Sequence, residues 1–271
     1  MSNNRIRELV LRVVRKTCFQ RLWEKLFHYS KVGMNYWGGA TVGYSGEEYA
    51  LRYADAKFKQ RKSGNVTIFD VGANIGQFAK LAAHEISCEK VIHSFEPSGK
   101  TYRDLNYAIN KAELENVVIT HNFGLGSAEG SLTLYSSETS STIASLYDQK
   151  NPLREFKDEY KEVVKIETLD HFCMLNLISH IDYLKLDIEG HEYQALLGAV
   201  DILSKDGVSF IQFEFGECQI DSKTYFRDFY NLLHDKYNLY RIVSDGLAPI
   251  SRYSADLEVF STANYLAELR Q

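Results

Sequence analysis

The sequence predicts an α/β fold whose strands and helices alternate along the chain. Residues 66–71 form an apolar, β-branched run of strand length, which breaks into a turn with two glycines and resumes as a helical pattern over residues 77–83. Residues 91–97 repeat this arrangement, because they read as a strand ending in an acid and precede an amphipathic helical pattern over residues 100–112. A strand, a glycine turn and a helix open the βαβ unit of nucleotide-binding sheets, so a mostly parallel sheet is predicted.

The composition is typical of a globular protein with one well-buried domain and an appendage. The chain has 271 residues, a net charge of −5 and 13% aromatic residues. The four cysteines, at positions 18, 88, 173 and 218, form no C-x-x-C pair, which predicts free thiols and argues against a zinc cluster. No apolar run approaches the ~18–20 residues of a spanning helix, and no signal-peptide segment is evident, so a cytoplasmic protein is expected.

Residues 1–31 differ from the rest of the chain in charge. They hold eight Lys or Arg and two Glu, a local charge of +6, which leaves −11 for the remaining residues. Their apolar residues recur at helical spacing. One interpretation is a helix packed on the domain or on a second subunit of a homo-oligomer. The other is a basic amphipathic helix on an anionic surface, peripheral at the inner face of the membrane.

We therefore divide the chain into two parts. Residues 1–60 form a helical and aromatic appendage that contacts the acceptor, a second subunit or a membrane surface. Residues 61–271 form the main domain, which carries the glycine turn and the strands that follow it.

The first glycine turn indicates which cofactor the sheet binds. A dinucleotide site reads G-x-G-x-x-G, whereas here Asn74 replaces the middle glycine that admits a pyrophosphate. Asp70 ends the strand, and its carboxylate would repel a pyrophosphate but attract a cation or an amino group. Because S-adenosylmethionine carries a sulfonium and an α-amino group and no phosphate, the turn favours a methyl donor over NAD.

The ends of the next two strands add candidate adenosine contacts. Glu96 can accept hydrogen bonds from both ribose hydroxyls, a device that fits either cofactor. Residues 117–122 predict the third strand, and the adenine is expected at the turn after it. Asn122 could hydrogen-bond the adenine and Phe123 could stack on it, although a core position for Phe123 is an equal alternative.

The second half of the chain continues the alternation. The polar residues 136–142, after an exposed strand at 131–135, are interpreted as a mobile surface loop or as an acceptor-side lid. The remaining predicted strands span residues 163–168, 208–215, 240–243 and 257–260, and the remaining predicted helices span residues 49–61, 169–177, 192–203 and 225–236. The last two strands are expected to close the sheet in the antiparallel direction.

Residues 181–192 form the second informative stretch. Strand alternation places Lys185, Asp187 and Glu189 on one face of an apolar ladder. Three charges at the end of a central strand are costly to bury unless they are paired or used. A structural Lys–Asp pair is one alternative, and catalytic roles for Lys185 and Asp187 are the other.

Four segments together resemble the FkbM-type methyltransferase family. They are Asp70-Val-Gly-Ala-Asn-Ile-Gly76, Phe95-Glu96-Pro97, Glu167-Thr-Leu-Asp170 and Leu184-Lys-Leu-Asp-Ile-Glu-Gly-His-Glu192. The resemblance implies a class I (Rossmann-like) S-adenosylmethionine-dependent methyltransferase with a seven-stranded, mostly parallel sheet, an antiparallel end strand and helices on both faces. It also implies O-methylation, commonly of sugar hydroxyls in glycans or natural products.

The resemblance also implies roles for the residues at matching positions. Glu96 and the adjoining Pro97 would hold the ribose, and Asp187 would contact the cofactor beside the transferring methyl group. The donor loop would consist of Asp70, Gly72, Ala73, Asn74 and Gly76.

Transfer to oxygen further requires that the acceptor hydroxyl lose its proton. His191 is a candidate base, because the unperturbed pKa of histidine is close to neutrality. Alternatively, Asp187, Glu214 and Glu217 bind Mg²⁺, which would lower the pKa of a coordinated hydroxyl.

The predicted function is therefore methylation of a hydroxyl on a sugar, a nucleotide sugar or a glycan. Alternatives from other classes are a binding module with a degenerate methyltransferase fold and an NAD-dependent Rossmann oxidoreductase. Nucleic acid is not an expected partner, because the chain beyond residue 31 is acidic and residues 184–189 stand where a base-flipping motif would follow the fourth strand.

Overall fold

The computed structural model describes residues 12–37, 45–61, 64–137, 140–147 and 159–270. Its strands are β1 (Val66–Val71), β2 (Lys90–Phe95), β3 (Val118–His121), β4 (Gly124–Leu125), β5 (Gly130–Ser137), β6 (Ser140–Ser145), β7 (Glu159–Glu167), β8 (Ile181–Leu186), β9 (Val208–Phe215), β10 (Tyr237–Val243), β11 (Gly246–Ile250) and β12 (Ala263–Leu269). Its helices are α1 (Thr17–Gly33), α2 (Glu47–Arg61), α3 (Gln77–Glu85), α4 (Gly99–Lys111), α5 (Leu169–Leu175), α6 (Glu192–Leu197), α7 (Val200–Ser204), α8 (Cys218–Ser222) and α9 (Phe226–Leu233), with a 3-10 turn at Ala255–Leu257.

The main sheet has eight strands in the order β11-β10-β12-β9-β8-β1-β2-β3. Its five central strands, β9, β8, β1, β2 and β3, are parallel, and β12, β10 and β11 add to one side in antiparallel pairs. The predicted α/β class, with a mostly parallel sheet and an antiparallel end, is confirmed. The sheet has eight strands instead of seven because β11 returns from β10 and pairs along its outer edge.

The strand order opens a crevice at the carboxyl ends of β1 and its neighbours. From β1 the chain turns first to β2 on one side, and later enters β8 on the other side. Ligands of open α/β sheets bind where the order reverses in this way. The loops that follow β1 and β8 touch there, since the backbone N–H of Asp187 donates to the carbonyl of Val71 at 3.0 Å.

Each face of the main sheet carries its own apolar layer. Alternate residues of a strand point to opposite faces. Phe69, Leu184 and Ile211 therefore lie in one layer, which is completed by residues of α5, α6 and α9. The opposite layer contains Ile68, Tyr183 and Phe210 with residues of α2, α3 and α4. A sheet covered on both faces explains why its strands read as almost continuous apolar runs.

Helix α2 is part of this second layer. Ala50, Leu51, Ala54 and Phe58 are buried in it against the sheet. Residues 47–61 thus pack on the main domain, although the predicted boundary assigned most of them to the appendage. The division of the chain into an appendage of residues 1–60 and a domain of residues 61–271 stays a prediction.

A second sheet replaces the polar loop that was predicted at residues 136–142. Strand β5 continues to Ser137, β6 begins at Ser140, and residues 138–139 lie outside the described part of the chain. These strands pair with each other and with β7 in a four-stranded sheet of order β4-β7-β5-β6. A loop is therefore wrong for residues 136–137 and 140–142, because cross-strand pairing overrides the weak local preference of serines for strands. The alternative of an acceptor-side lid stays a prediction.

Three predicted helices are shorter than the pattern indicates. The helix predicted at residues 225–236 spans Phe226–Leu233. The helix predicted at residues 192–203 is divided into α6 and α7 at Gly198, where a Cβ atom would overlap the carbonyl oxygen of Gly126. The helix predicted at residues 169–177 ends at Leu175. The break at Gly198 arises from the close approach of Gly126, which the periodicity of a sequence does not record. The end of α5 is local, because Leu177 adopts the left-handed conformation with φ +56°.

The strand predicted at residues 257–260 is also wrong. The carboxylate of Glu258 accepts hydrogen bonds from the backbone N–H groups of Phe226 and Arg227, at 2.8 and 3.0 Å, and so caps α9. This contact holds the segment in an irregular conformation. The closing strand is instead β12, which inserts between β9 and β10.

Candidate active site

Four polar side chains cross the main sheet in one row beneath the crevice. Strand register pairs Ser94 of β2 with Asp70 of β1, Asp70 with Lys185 of β8, and Lys185 with Gln212 of β9. All four are buried, and we refer to them as the polar row. The ammonium of Lys185 lies 3.8 Å from Oδ1 of Asp70 and 3.0 Å from Oδ2 of Asp187. The Lys–Asp pairing predicted as one alternative is therefore present, with two carboxylates.

Asp70 is a buried carboxylate with few internal partners. Neither carboxylate oxygen accepts a hydrogen bond of ordinary geometry. Burial raises the pKa of Asp70 to about 6, and the positive charge of Lys185 opposes this shift. A buried acceptor beneath a crevice fits a cationic or N–H-donating ligand, such as a sulfonium compound with an α-amino group.

The loop after β1 is shaped by glycine. Gly72 has φ +83°, and a Cβ atom there would overlap the carbonyl oxygen of Asp187. Gly76, at φ +75°, precedes α3 in the same left-handed region. The N–H groups of Gly72 and Ala73 both donate to the carbonyl of Phe95 at 3.0 Å, which ties this loop to the end of β2. The predicted donor loop is thus in contact with both neighbouring strand ends.

Glu96 joins the same arrangement from the end of β2. Its carboxylate accepts the backbone N–H of Asn74 at 3.0 Å and that of Ser98 at 2.9 Å. Burial raises the pKa of Glu96 to about 7, although both backbone donors favour the ionised form. The structure brings Asp70, Asn74 and Glu96 together as predicted, around one crevice. Two buried carboxylates and a glycine cradle fit an adenosine with an attached cation.

The two predicted adenine contacts are used inside the protein. The side-chain amide of Asn122 donates to the backbone carbonyls of Glu96 and Pro97, at 2.9 and 3.1 Å, and so holds the loop after β2. Phe123 packs in an aromatic cluster, with its ring centroid 5.5 Å from that of Phe95 and 5.9 Å from that of Phe172. The core alternative for Phe123 is observed, and an adenine contact for either residue stays a prediction.

The loop after β8 differs from the predicted alternation. The strand ends at Leu186, and Glu189 turns away from its face with φ +53°. The buried carboxylate of Glu192 holds the turn by accepting the backbone N–H groups of Ile188 and Gly190, and it also accepts the side-chain amide of Gln219. Asp187 remains at the crevice with 38% of its side chain exposed. It is a carboxylate that a ligand in the crevice can reach.

His191 does not have the pKa for which it was proposed as a base. Its imidazole is buried, and burial lowers the pKa of His191 to about 4. Nδ1 of the ring lies 3.0 Å from the hydroxyl of Tyr147, and burial raises the pKa of that hydroxyl to about 12. Both groups are neutral at pH 7. The neutral pair joins the loop after β8 to the segment that follows β6, where the hydroxyl of Ser145 also donates to the carbonyl of Glu189 at 3.0 Å.

The structure does not support the predicted Mg²⁺ site. Among the described residues, Asp187, Glu214 and Glu217 do not form a group whose ligand atoms all lie within 4.8 Å of one another. Burial and the carboxylates of Asp187 and Glu189 raise the pKa of Glu214 well above its usual range. A protonated carboxyl is a poor ligand for a hard cation, so we assign no metal to these residues.

One other cluster of potential metal ligands exists in the described part of the chain. It consists of Glu129, Glu167 and His171. Nδ1 of His171 lies 3.0 Å from Glu129 and 2.8 Å from Glu167, and Lys165 pairs with Glu167 at 2.5 Å. These contacts form a polar network at the start of α5, in which the ammonium of Lys165 pairs with Glu167.

Sequence reasoning missed Gln212 of the polar row and its partner Glu47. The side-chain amide of Gln212 donates to Glu47 at 2.8 Å and accepts the hydroxyl of Tyr183 at 2.6 Å. Glu47, from the start of α2, adds negative charge near Lys185. Although burial opposes it, this charge, with Asp187 and Asp70, raises the pKa of Lys185. A single glutamine within the apolar run of β9 is the signal that could have identified this network.

Three solved structures are similar to this chain at low sequence identity. A methyltransferase FkbM from Methylobacillus flagellatus KT is 16% identical, with a TM-score of 0.46, over 75% of this chain and 43% of its own length. An O-methyltransferase from Bacillus cereus, in complex with SAH, is 11% identical with a TM-score of 0.45 over 97% of this chain and 96% of its own. A putative rRNA methylase from Clostridium thermocellum is 12% identical, with a TM-score of 0.44, over 82% of this chain and 96% of its own. Similarity at this level assigns no acceptor.

The family assignment comes from sequence. No curated protein matches this chain significantly. The family model described as "Methyltransferase FkbM domain" matches residues 70–242, which is more than half of the chain. This range begins at Asp70 and includes Glu96, the polar row and the loop after β8. The chain therefore belongs to the FkbM family of S-adenosylmethionine-dependent methyltransferases.

Proposed function

We propose that this methyltransferase transfers a methyl group to a hydroxyl of a sugar, either as a nucleotide sugar or within a glycan. The observation that carries the proposal is Asp187, a half-exposed carboxylate at the crevice whose Oδ2 is held 3.0 Å from the ammonium of Lys185. A carboxylate in this position can accept a hydrogen bond from an incoming hydroxyl and orient its oxygen.

The donor side of the crevice supports this proposal. The bound S-adenosylmethionine supplies the methyl group and the leaving group. Asp70 and Glu96 provide two carboxylates for its charged and hydroxyl groups, and Gly72 leaves space for the close approach of the loop after β8. The protein then needs to align the acceptor and to receive its proton, roles that we give to Asp187 with Lys185 as its positioning partner.

The acceptor side supports a polyhydroxyl compound in particular. Asp187, Glu189 and Glu214 are close enough to one another for their charges to raise the pKa of Glu214, whose burial raises it further. Carboxyl groups in two protonation states can both accept and donate hydrogen bonds, as sugar hydroxyls require. Clustered acids also disfavour a polyanionic acceptor such as a nucleic acid.

The test is mass spectrometry of products from a panel of nucleotide sugars and glycan extracts incubated with the wild-type chain and S-adenosylmethionine. We expect one acceptor to gain a methylene in mass, at a sugar hydroxyl. Methylation of a non-sugar acceptor, or donor binding without a product from any extract, would contradict the proposed acceptor class. The second result would favour the non-catalytic binding module.

A further inference from the structure

Helix α1 carries a continuous apolar face that the rest of the described chain does not cover. At about 100° per residue, Phe19, Leu22, Trp23, Leu26 and Phe27 project within an arc of about 140°. The exposed fractions are 49% for Leu22, 40% for Trp23, 48% for Leu26 and 62% for Phe27. None of the side chains of α1 is buried.

The rest of α1 and the turn before it are strongly basic. Residues 12–33 contain Arg12, Arg15, Lys16, Arg21, Lys25 and Lys31 and a single acid, Glu24, so their charge is +5. The whole chain has a net charge of −5, so the residues outside this segment carry −10. A basic segment with Trp, Phe and Leu on the opposite face is typical of a helix that lies in a membrane interface.

We propose that α1 docks on an anionic bilayer surface, with its axis parallel to the membrane and its apolar face inserted among the headgroups. The helix has 17 residues, a length of about 26 Å. Among the described residues, no helix is long and apolar enough to cross a bilayer. The contact is therefore a surface contact, in which the lysine and arginine side chains reach the lipid phosphates.

Area and charge favour a bilayer over a second copy of the chain. A face about 26 Å long and about 10 Å wide covers roughly 260 Å², whereas a stable protein interface buries about 800 Å² on each partner. A symmetric pairing of α1 with itself would also bring two segments of charge +5 together. Anionic lipid has the opposite charge and no requirement for a matching surface.

The attachment of α1 to the main domain determines how the docked protein is oriented on the membrane. The residues after α1 bind the edge of the main sheet that holds the crevice. The N–H of Trp37 donates to the carbonyl of Thr262 at 2.6 Å, and the amide of Asn35 donates to that of Ile242 at 3.2 Å. Thr262 precedes β12, which lies two strands from β8, a separation of about 10 Å. Docking through α1 thus holds the crevice near the bilayer.

The experiment is sedimentation of the full chain with sucrose-loaded vesicles, either of phosphatidylcholine alone or with added phosphatidylglycerol. We expect binding that is at least about tenfold stronger to the anionic vesicles and that weakens as salt is raised. Leu26→Glu, on the apolar face, should abolish most of it. The control is Thr17→Glu, which adds the same negative charge on the polar face in the first turn of the helix. This variant should still bind the anionic vesicles.

Other results would overturn the proposal. They are equal sedimentation of the wild type with and without vesicles, and equal binding by the two variants. A third contrary result would come from light scattering without lipid. If the wild type were a dimer and Leu26→Glu a monomer, the apolar face would bind a second copy of the chain. Thermal unfolding of both variants checks that the fold is retained, and this is expected because the mutated side chains are exposed.

Discussion

At the scale of single residues, Lys185 supplies the positive charge that balances the carboxylates of Asp70 and Asp187 at the crevice. It is 4% exposed and lies between the carboxylates of Asp70 and Asp187. Its ammonium also lies 5.0 Å from the ring centroid of Phe78. A buried cation of this kind is tolerated only because the carboxylates on both sides compensate for its lost hydration. The same lysine that stabilises the sheet therefore also holds Asp187 in place.

Removal of this charge should destabilise the fold. We predict that Lys185→Met lowers the free energy of unfolding by about 3–5 kcal/mol, because it leaves the buried Asp70 carboxylate without a cation. Denaturant unfolding measures the change. In the double variant with Asp70→Asn, the loss should be smaller than the sum of the two single losses, because both belong to one interaction. Additive losses would show that the pair is not coupled.

Asp187 should matter for turnover more than for donor affinity. We predict that Asp187→Asn lowers kcat by about 10²–10⁴-fold, because the hydroxyl loses its proton acceptor, while calorimetric donor affinity changes by less than about threefold. The matched control is Asp104→Asn, the same change at an exposed position of α4. If Asp187→Asn weakened donor binding as strongly as it slowed turnover, Asp187 would be a donor ligand and not the group that orients the acceptor.

The residues that sequence predicted best are those whose role follows from position along a strand. Asp70, Glu96 and Asp187 end or follow strands whose carboxyl ends meet at one sheet edge, and they are found there. Burial is not visible in a sequence, so the ordinary pKa assumed for His191 was wrong. Strand register is not visible either, which is why Gln212 was missed as a partner of Glu47.

At the scale of elements, the crevice depends on contact between the loops after β1 and β8. Gly72 allows this contact, because any side chain there would overlap the backbone of Asp187. We predict that Gly72→Ala lowers the free energy of unfolding by more than about 3 kcal/mol and displaces the donor loop, since φ of +83° is also strained for alanine. Denaturant unfolding and donor calorimetry measure the two effects.

The control is Gly33→Ala at the end of α1, where a Cβ atom meets nothing within 4 Å. It should change the free energy of unfolding by less than about 1 kcal/mol, because alanine is favoured in helices. Equal stability of both variants would show that the two loops do not touch at Gly72.

Elements were predictable where the local pattern and the tertiary environment agree. Strands β1, β2, β8 and β9 have apolar runs and buried neighbours on both faces, so their type and position followed from sequence. The errors fall where a distant segment decides. Glu258 is held by the start of α9, Gly198 contacts Gly126, and β6 is held by its partner strand.

At the scale of the whole molecule, the crevice should bind its donor in a pH-dependent way. The pKa values of Asp70 and Glu96 are raised to about 6 and about 7 by burial. A carboxylate accepts hydrogen bonds and attracts a cation best when it is ionised, so a donor held by these two groups should bind best in their ionised forms. We therefore predict that affinity for S-adenosylhomocysteine falls as the pH is lowered from about 7.5 to about 5.5, by up to about tenfold per pH unit for each proton taken up.

Calorimetry across that range measures the effect, and Glu96→Gln should flatten the upper part of the curve. An affinity that is constant with pH in the wild type would contradict the prediction. The same raised pKa values affect the stability of the unliganded protein in the opposite direction, so this stability falls as the pH rises. A raised carboxyl pKa stabilises the unliganded fold at pH below the unfolded values of about 4, and this contribution is lost as the pH rises through about 6 and about 7.

We infer that the carboxylates at the ends of β1 and β2 bind the adenosine donor, and a single pair of titrations can show whether they do. S-adenosylhomocysteine is titrated calorimetrically into the wild-type chain and into Glu96→Gln at pH 7.5 or above (about one half-unit beyond the raised pKa of Glu96). We expect saturable binding to the wild type and an affinity roughly tenfold to 150-fold weaker in the variant, which is the value of a charged hydrogen bond. No binding to the wild type, or equal affinity in the two proteins, would contradict it.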